Sequence, residues 1–146
     1  MAGAHIQLGG PNVFFLTICS KDRIPWMATK DVEDGLVNIW REEATAWHVG
    51  YYLLMPDHLH LFCAPYDLSF NIDTWITFWK RRFSTRHPAG ATGWQRRSFH
   101  HRIRDRIEYE ERLLYVRENP MRKGLAGDLK EWAFQGRVHD LVWTSD

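Results

Sequence analysis

His58 and His60 stand two residues apart in the run HLHLFCA. On a β-strand, residues two apart project from the same face, so both imidazoles aim at one side while Leu59 and Leu61 aim at the other. Two nitrogen donors directed at one point suit a divalent cation, but a catalytic site needs at least one more protein ligand and open positions. The run LLYVRENP offers it. Tyr115 and Asn119 are i and i+4, on one helical face about one turn apart. Asn119 can coordinate through its amide oxygen while Tyr115 presents its phenol beside the metal. Glu118 is chemically the stronger ligand, but at i+3 it points in a different direction and ranks second. Asn119 precedes Pro120, which pushes its backbone away from the helical region and loosens the spacing.

Neither feature is decisive alone. An H-x-H pair on a strand is more often two polar residues meeting solvent, and a helical tyrosine is more often core than catalyst. A third feature shifts the balance. From Lys80 to Arg106 the chain carries nine Lys or Arg residues against one acid, Asp105, although the whole chain has a formal charge of only +1. A charge run taken alone is usually a solvated surface; beside a metal site it suggests a polyanion partner.

The elements that must position these groups follow from periodicity. Residues 12–19, rich in β-branched and aromatic types, read as a first strand after the breaker Gly9-Gly10-Pro11. Residues 31–47 carry Val32, Leu36, Ile39, Trp40 and Ala44 near helical spacing, with Asp31 placed to cap. Residues 48–55 and 58–64 form a hairpin about Pro56-Asp57. In 69–86, Ile72, Trp75, Ile76, Trp79 and Phe83 mark the buried side of a second helix. A loop at 87–93 leads to an edge strand at 98–103. A third helix over 108–119 is stopped by Pro120, and a less regular tail reaches a last strand at 138–143. The order βαββαβ predicts an α+β fold, ferredoxin-like, with helices on one face of an antiparallel sheet and the Tyr115 helix and tail appended.

The 146 residues, 45% hydrophobic, fit one domain spanning 1–146. Cys19 and Cys63 lie within strand-like apolar runs, which favours buried free thiols over a disulfide or a Cys-based metal site. The start MAGAHIQLGG lacks the pattern of a signal peptide, and no run approaches the ~20 apolar residues of a membrane span, so no membrane partner and a cytoplasmic location are expected. Of the many aromatic residues, Trp94 and Phe99 can stack on an unpaired base, though core packing is the commoner role for both.

The runs MPDHLHLF at 55–62, WQRRSFHHRIRD at 94–105 and YVRENPMRKGL at 115–125 together resemble the REP-associated tyrosine transposases, relatives of the small HUH-type single-tyrosine transposases. The likeness extends from about Asn12 to the 138–143 region. It implies a ferredoxin-like core, His58 and His60 as a two-histidine metal site, Asn119 as the residue completing it, and Tyr115 as nucleophile. It also implies a single-stranded or hairpin DNA substrate and a monomer or homodimer.

Such an enzyme would be a metal-dependent endonuclease and strand transferase. A cation, Mg²⁺ or Mn²⁺, would bind a phosphate oxygen and offset charge developing in the transition state. A phenol ordinarily keeps its proton up to about pH 10, so Tyr115 needs help to lose it as it attacks. The product would be a 5′-phosphotyrosine link and a free 3′-hydroxyl, and the reverse reaction would join strands. Arg81, Arg82, Arg86, Arg96, Arg97, Arg102, Arg104, Arg122 and Lys123 are the candidates for phosphate contacts, which position DNA and make affinity salt-dependent. His100 and His101, adjacent on a strand, face opposite ways and read as local hydrogen-bonding residues. Two other classes remain: a non-catalytic nucleic-acid-binding module, and a hydrolase in which water replaces the tyrosine.

Overall fold

The computed structural model describes residues 5–8, 12–67 and 69–143, and the side chains of 12–67 and 69–141. The breaker Gly9-Gly10-Pro11 lies outside the described residues.

β1 (His5–Leu8), β2 (Phe14–Cys19), α1 (Lys30–Glu42), β3 (Trp47–Leu54), β4 (His58–Pro65), α2 (Ile72–Arg86), β5 (Phe99–Arg102), α3 (Arg106–Arg117), α4 (Asn119–Arg122), β6 (Gln135–Arg137) and β7 (Asp140–Trp143) follow in chain order. Five strands make an antiparallel sheet in the order β5-β2-β4-β3-β6. Its first four strands and two intervening helices are the expected βαββαβ unit, with β5 on an edge as its charge suggested. β6 extends the sheet beyond β3, where a less regular tail was expected. β7 pairs in parallel with β1, placing the end of the described chain beside its beginning.

α1 starts one residue earlier than expected and is capped by Thr29, not Asp31. Thr29 is extended (φ −135, ψ 158), and its hydroxyl accepts from the Val32 amide. The helix stops at Glu42 because the Ile39 carbonyl takes both the Glu43 and Ala44 amides, which ends the regular ladder five residues short of expectation. α2 carries its apolar stripe as read, with Ile72, Trp75, Ile76, Trp79 and Phe83 all buried. α1 and α2 approach closely at Gly35, where a Cβ would collide with the His87 imidazole.

The hairpin β3–β4 holds one irregularity. Val49 pairs with Cys63 and Tyr52 with Leu61, so two residues of β3, Gly50 and Tyr51, are spanned where β4 has one. This bulge places Val49, Tyr52 and Leu54 in one core, and Tyr51, Leu53 and Met55 in the other. The first core, roofed by α1 and α2, contains Leu16, Ile18, Leu59, Leu61, Trp40, Trp75 and Trp79. The second, on the opposite face, contains Phe15, Leu53, Phe62 and Ile103 with Val116 of α3. The expected pair of helices does cover one face; α3 covers the other. Cys19 and Cys63 are free thiols, and Cys63 is buried. Among the described residues no helix is long and apolar enough to cross a membrane.

Candidate active site

Alternation along β4 sends Leu59 and Leu61 into the α1/α2 core and His58 and His60 to the α3 face. The two rings lie 4.9 Å apart at 79°. Cross-strand register sets the surroundings of His60. Thr17 is its direct partner on β2, and its hydroxyl oxygen stands 3.0 Å from His60 Nδ1. Phe15, two residues along the same face, stacks on the imidazole at 5.2 Å. At the β3–β4 turn, Asp57 Oδ1 lies 2.8 Å from His58 Nδ1.

The remaining nitrogens point at one group. Asn119 Nδ2 lies 3.3 Å from His58 Nε2 and 3.4 Å from His60 Nε2. A carboxamide nitrogen has two N–H donors, and giving one to each imidazole requires a lone pair on both Nε2 atoms. Both Nδ1 atoms then carry the proton, His58 donating to Asp57 and His60 to Thr17. The network closes with a single choice of tautomer, inferred from the bonds it must make. It is also the tautomer that a metal ligand needs, with the outer nitrogen anchored and the inner one free.

Electrostatics keep both rings neutral. Burial, reinforced by His58 alongside, pushes His60 down to about 3. Burial also lowers His58, against the pull of Asp57. Burial would raise the Asp57 carboxyl, but hydrogen bonds from His58 and Arg23 outweigh it and hold the group below its ordinary value. Among the described residues no three His, Cys, Asp or Glu side chains converge on one point, so a third protein ligand here would be the Asn119 amide. Glu118 turns away and pairs with Arg122 at 3.6 Å.

Tyr115 and Asn119 do not share one helix. α3 ends at Arg117, and Asn119 opens the short turn α4, with Pro120 in its first turn. Asn119 is only 8% exposed, whereas Tyr115 is 59% exposed. Arg122 returns over the tyrosine, its guanidinium 3.9 Å from the ring centre and Nη2 donating to the Tyr115 carbonyl at 2.6 Å. The Tyr115 ring lines a cleft with Arg104, Glu108, Glu111 and Arg112. Its hydroxyl is not within hydrogen-bond distance of either imidazole.

The candidate phosphate-binding residues divide between layers. Arg81, Arg82 and Arg86 sit on α2, across the sheet from the histidines, and Arg82 and Arg86 both pair with Glu43 of α1. Arg96 and Arg97 are exposed just before β5, and Arg102 is on that edge strand. Arg104 bonds Glu108 through its backbone amide and guanidinium. Arg104, which lines the Tyr115 cleft, and Arg122 and Lys123, beside Tyr115 and His58, accompany the site itself. His100 faces Asp73 of α2 and His101 faces Glu108 of α3, the opposed pair expected of neighbours on a strand. Trp94 packs against Trp26, Trp79 and Phe83 as expected. Phe99, expected in the core, is 57% exposed on the edge strand β5.

No family model matches the chain. A curated relative from Haemophilus influenzae (strain ATCC 51907 / DSM 11121 / KW20 / Rd), named as a REP-associated tyrosine transposase, is 25% identical across 88% of this chain and 81% of the relative. A solved structure of a REP-associated tyrosine transposase bound to a REP hairpin shares the fold with a TM-score of 0.69, at 18% identity, over 92% of this chain and 82% of that one. The chain resembles the REP-associated tyrosine transposases. A crystal structure described as a transposase from Deinococcus radiodurans matches with a TM-score of 0.51 and 18% identity, over 70% of this chain and 87% of that one.

The three runs that carry the likeness to REP-associated tyrosine transposases have distinct structural roles. Residues 55–62 supply the histidine pair and Asp57; 94–105 supply β5 and the α3 cap Asp105; 115–125 supply Tyr115, Asn119 and Arg122. Sequence reading missed four residues that the structure brings to the site. In the sequence Asp57 marks only a turn, although an acid directly before His58 is a usable signal. Arg112, whose guanidinium lies 5.0 Å over the Phe15 ring, is one turn before Tyr115 and was legible from that spacing. Thr17 and Arg23 arrive through non-local pairing and carried no local signal.

Proposed function

We propose that this protein is a DNA transposase of the single-tyrosine kind, cutting single-stranded DNA beside a hairpin and rejoining it through a covalent tyrosine link. The observation that carries this reading is the convergence of His58 Nε2 and His60 Nε2 on the buried Asn119 side chain, four residues after Tyr115. The sequence and fold likeness to REP-associated tyrosine transposases supports it.

Two neutral imidazoles and one carboxamide, with Nδ1 anchored on Asp57 and Thr17, fit a divalent cation such as Mn²⁺ or Mg²⁺, of which Mn²⁺ tolerates imidazole better. Asn119 offers its oxygen to such an ion by the half-turn that exchanges the two ends of its amide. When bound, the cation supplies electrophilic polarisation of a phosphodiester oxygen.

The chain's own residues do the rest. Tyr115 Oη forms a bond to phosphorus while the bond from phosphorus to the 3′-oxygen breaks. The phenol proton leaves to solvent and the departing oxygen takes one up, leaving a 5′-phosphotyrosine and a 3′-hydroxyl. Arg112 and Arg122 flank the tyrosine with positive charge, suited to phosphate oxygens on the approaching strand. The exposure of Tyr115 leaves its hydroxyl open to DNA, and strand binding has to bring phosphodiester, phenol and histidines together.

The decisive experiment incubates the protein with labelled hairpin DNA bearing single-stranded flanks, in Mn²⁺ or Mg²⁺, and resolves adducts on a denaturing gel. Wild-type protein forms a covalent adduct. Tyr115→Phe loses it by more than ~10³-fold with an unchanged melting temperature, because the ring is largely exposed. Adduct formation by Tyr115→Phe at the native rate would remove Tyr115 as nucleophile. The separation of Tyr115 from the imidazoles favours a second reading, a nucleic-acid-binding module without turnover; it predicts wild-type binding with no adduct and no cleavage.

A further inference from the structure

The tautomer that turns both Nε2 atoms inward leaves Arg23 with an unused donor. His58 Nδ1 gives its proton to Asp57 Oδ1, so it has no lone pair for Arg23 Nη2, which stands 3.4 Å away. Arg23 Nε donates to Asp57 Oδ2 at 3.0 Å, which orients the guanidinium while the side chain stays 55% exposed. Its backbone is equally specific. Asp22 and Arg23 both have φ of 56°, a left-handed conformation that non-glycine residues seldom adopt. The turn is held by Ser20 and Met27, whose amides bond the Asp57 and Pro56 carbonyls.

The guanidinium borders a cleft of about 240 Å³ that adjoins His58 and is lined by Arg23, Pro25, Pro56, Asp57, Lys123 and Leu125. Two cations face it. Its one carboxylate, Asp57, is already engaged by Arg23 and His58. Pro25, Pro56 and Leu125 give it an apolar floor. Tyr115 lines a different cleft, so this one is a separate compartment next to the histidine pair.

We propose that this cleft is a subsite for one phosphodiester of single-stranded DNA adjoining the bond that is cut. Arg23 and Lys123 hold its oxygens, and the attached nucleoside lies on Pro25, Pro56 and Leu125. The choice of DNA as the polyanion rests on the proposed function. Arg23 is a positioning residue, placing the strand relative to His58.

The test measures binding of fluorescein-labelled dT10 in EDTA across a salt series, so that neither cation nor tyrosine chemistry enters. Arg23→Ala is expected to weaken binding about tenfold at low salt and to flatten the slope of log K against log[salt] by about 0.7, the value of one lost phosphate contact on a single strand. Lys123→Ala, an exposed position that keeps the test valid if Arg23→Ala fails to fold, should flatten it similarly. Arg23→Lys should recover most of the slope, and Asp57→Asn, which weakens the anchor but leaves the Arg23 charge, should keep it. An unchanged slope in both Arg23→Ala and Lys123→Ala would overturn the subsite. So would an equal loss in Asp57→Asn and Arg23→Ala without rescue by Arg23→Lys, which would mean that Arg23 only buttresses Asp57. Wild-type protein that binds the labelled hairpin but not dT10 would overturn the subsite alone, and protein that binds neither would overturn subsite and DNA function together. A flattened slope in a protein that forms no tyrosine adduct would uphold the subsite and remove the chemistry.

Discussion

The two faces of the central sheet are made by the same strands, residue by alternate residue, and they have opposite characters. Beneath α1 and α2, Leu59 and Leu61 meet a packed aromatic layer in which Trp79 is 0% exposed and contacts Trp40 and Trp94 edge-on. Charge on that side is paired within the layer: Glu33, buried at 6% exposure, accepts from the Tyr52 hydroxyl at 2.7 Å, and Arg82 and Arg86 share Glu43 at the surface. Beneath α3, the same strand presents His58 and His60 to a polar network of Asp57, Thr17 and Asn119. The aromatic face supplies the stability that lets the other keep neutral imidazoles, a buried carboxamide and an exposed tyrosine, none of which is the most stable choice at its position.

Removing Trp79 should break the stabilising face. Trp79→Ala is expected to cost about 3–5 kcal/mol, read as a fall in the urea midpoint, with adduct formation retained by whatever fraction stays folded. Trp79→Phe should cost far less, because the indole Nε1 is buried without an acceptor among the described residues and its removal relieves an unpaired donor.

A smaller effect should follow from acid on the other face. His60 is depressed to about 3 in the fold against an ordinary value near 6.5, so its contribution to stability is present above pH 6.5. That contribution is lost as pH falls from there toward 3, because the unfolded chain binds the proton first. For metal-free protein, denaturation at pH 7 and pH 4 should show a loss on the order of 2–3 kcal/mol attributable to this ring. His60→Gln, which cannot titrate, should flatten the profile by that amount. An unchanged profile would mean that His60 is solvated in solution.

The least effect is expected at α2's charged surface. Arg82→Ala and Arg86→Ala should each change stability by about 1 kcal/mol or less and leave the rate of adduct formation within about twofold. A tenfold fall in that rate would show that DNA wraps onto the far layer, and would dissolve the division between the two faces.

Much of the fold was legible because it is written in local periods. The apolar stripe from Ile72 to Phe83 repeats at helical spacing, and the alternation from His58 to Leu61 assigned each side chain to its face before any tertiary contact was known. The boundaries were less legible. The end of α1 depends on the Ile39 carbonyl taking two amides, and the bulge at Gly50–Tyr51 depends on how β3 aligns with β4. β6 was unreadable because its pairing with β3 joins residues more than eighty positions apart.

The site divides along the same line. By itself the sequence determined the βαββαβ order, the common face of His58 and His60, and the nearness along the chain of Tyr115 and Asn119, because these follow from geometry that a few consecutive residues impose. It took the folded sheet to set Thr17 against His60, to turn Asn119 inward while Tyr115 stays out beneath Arg122, and to bring Arg23 beside His58 from a left-handed turn. Those outcomes depend on strand register and on the break between α3 and α4, which come from packing across the whole sheet.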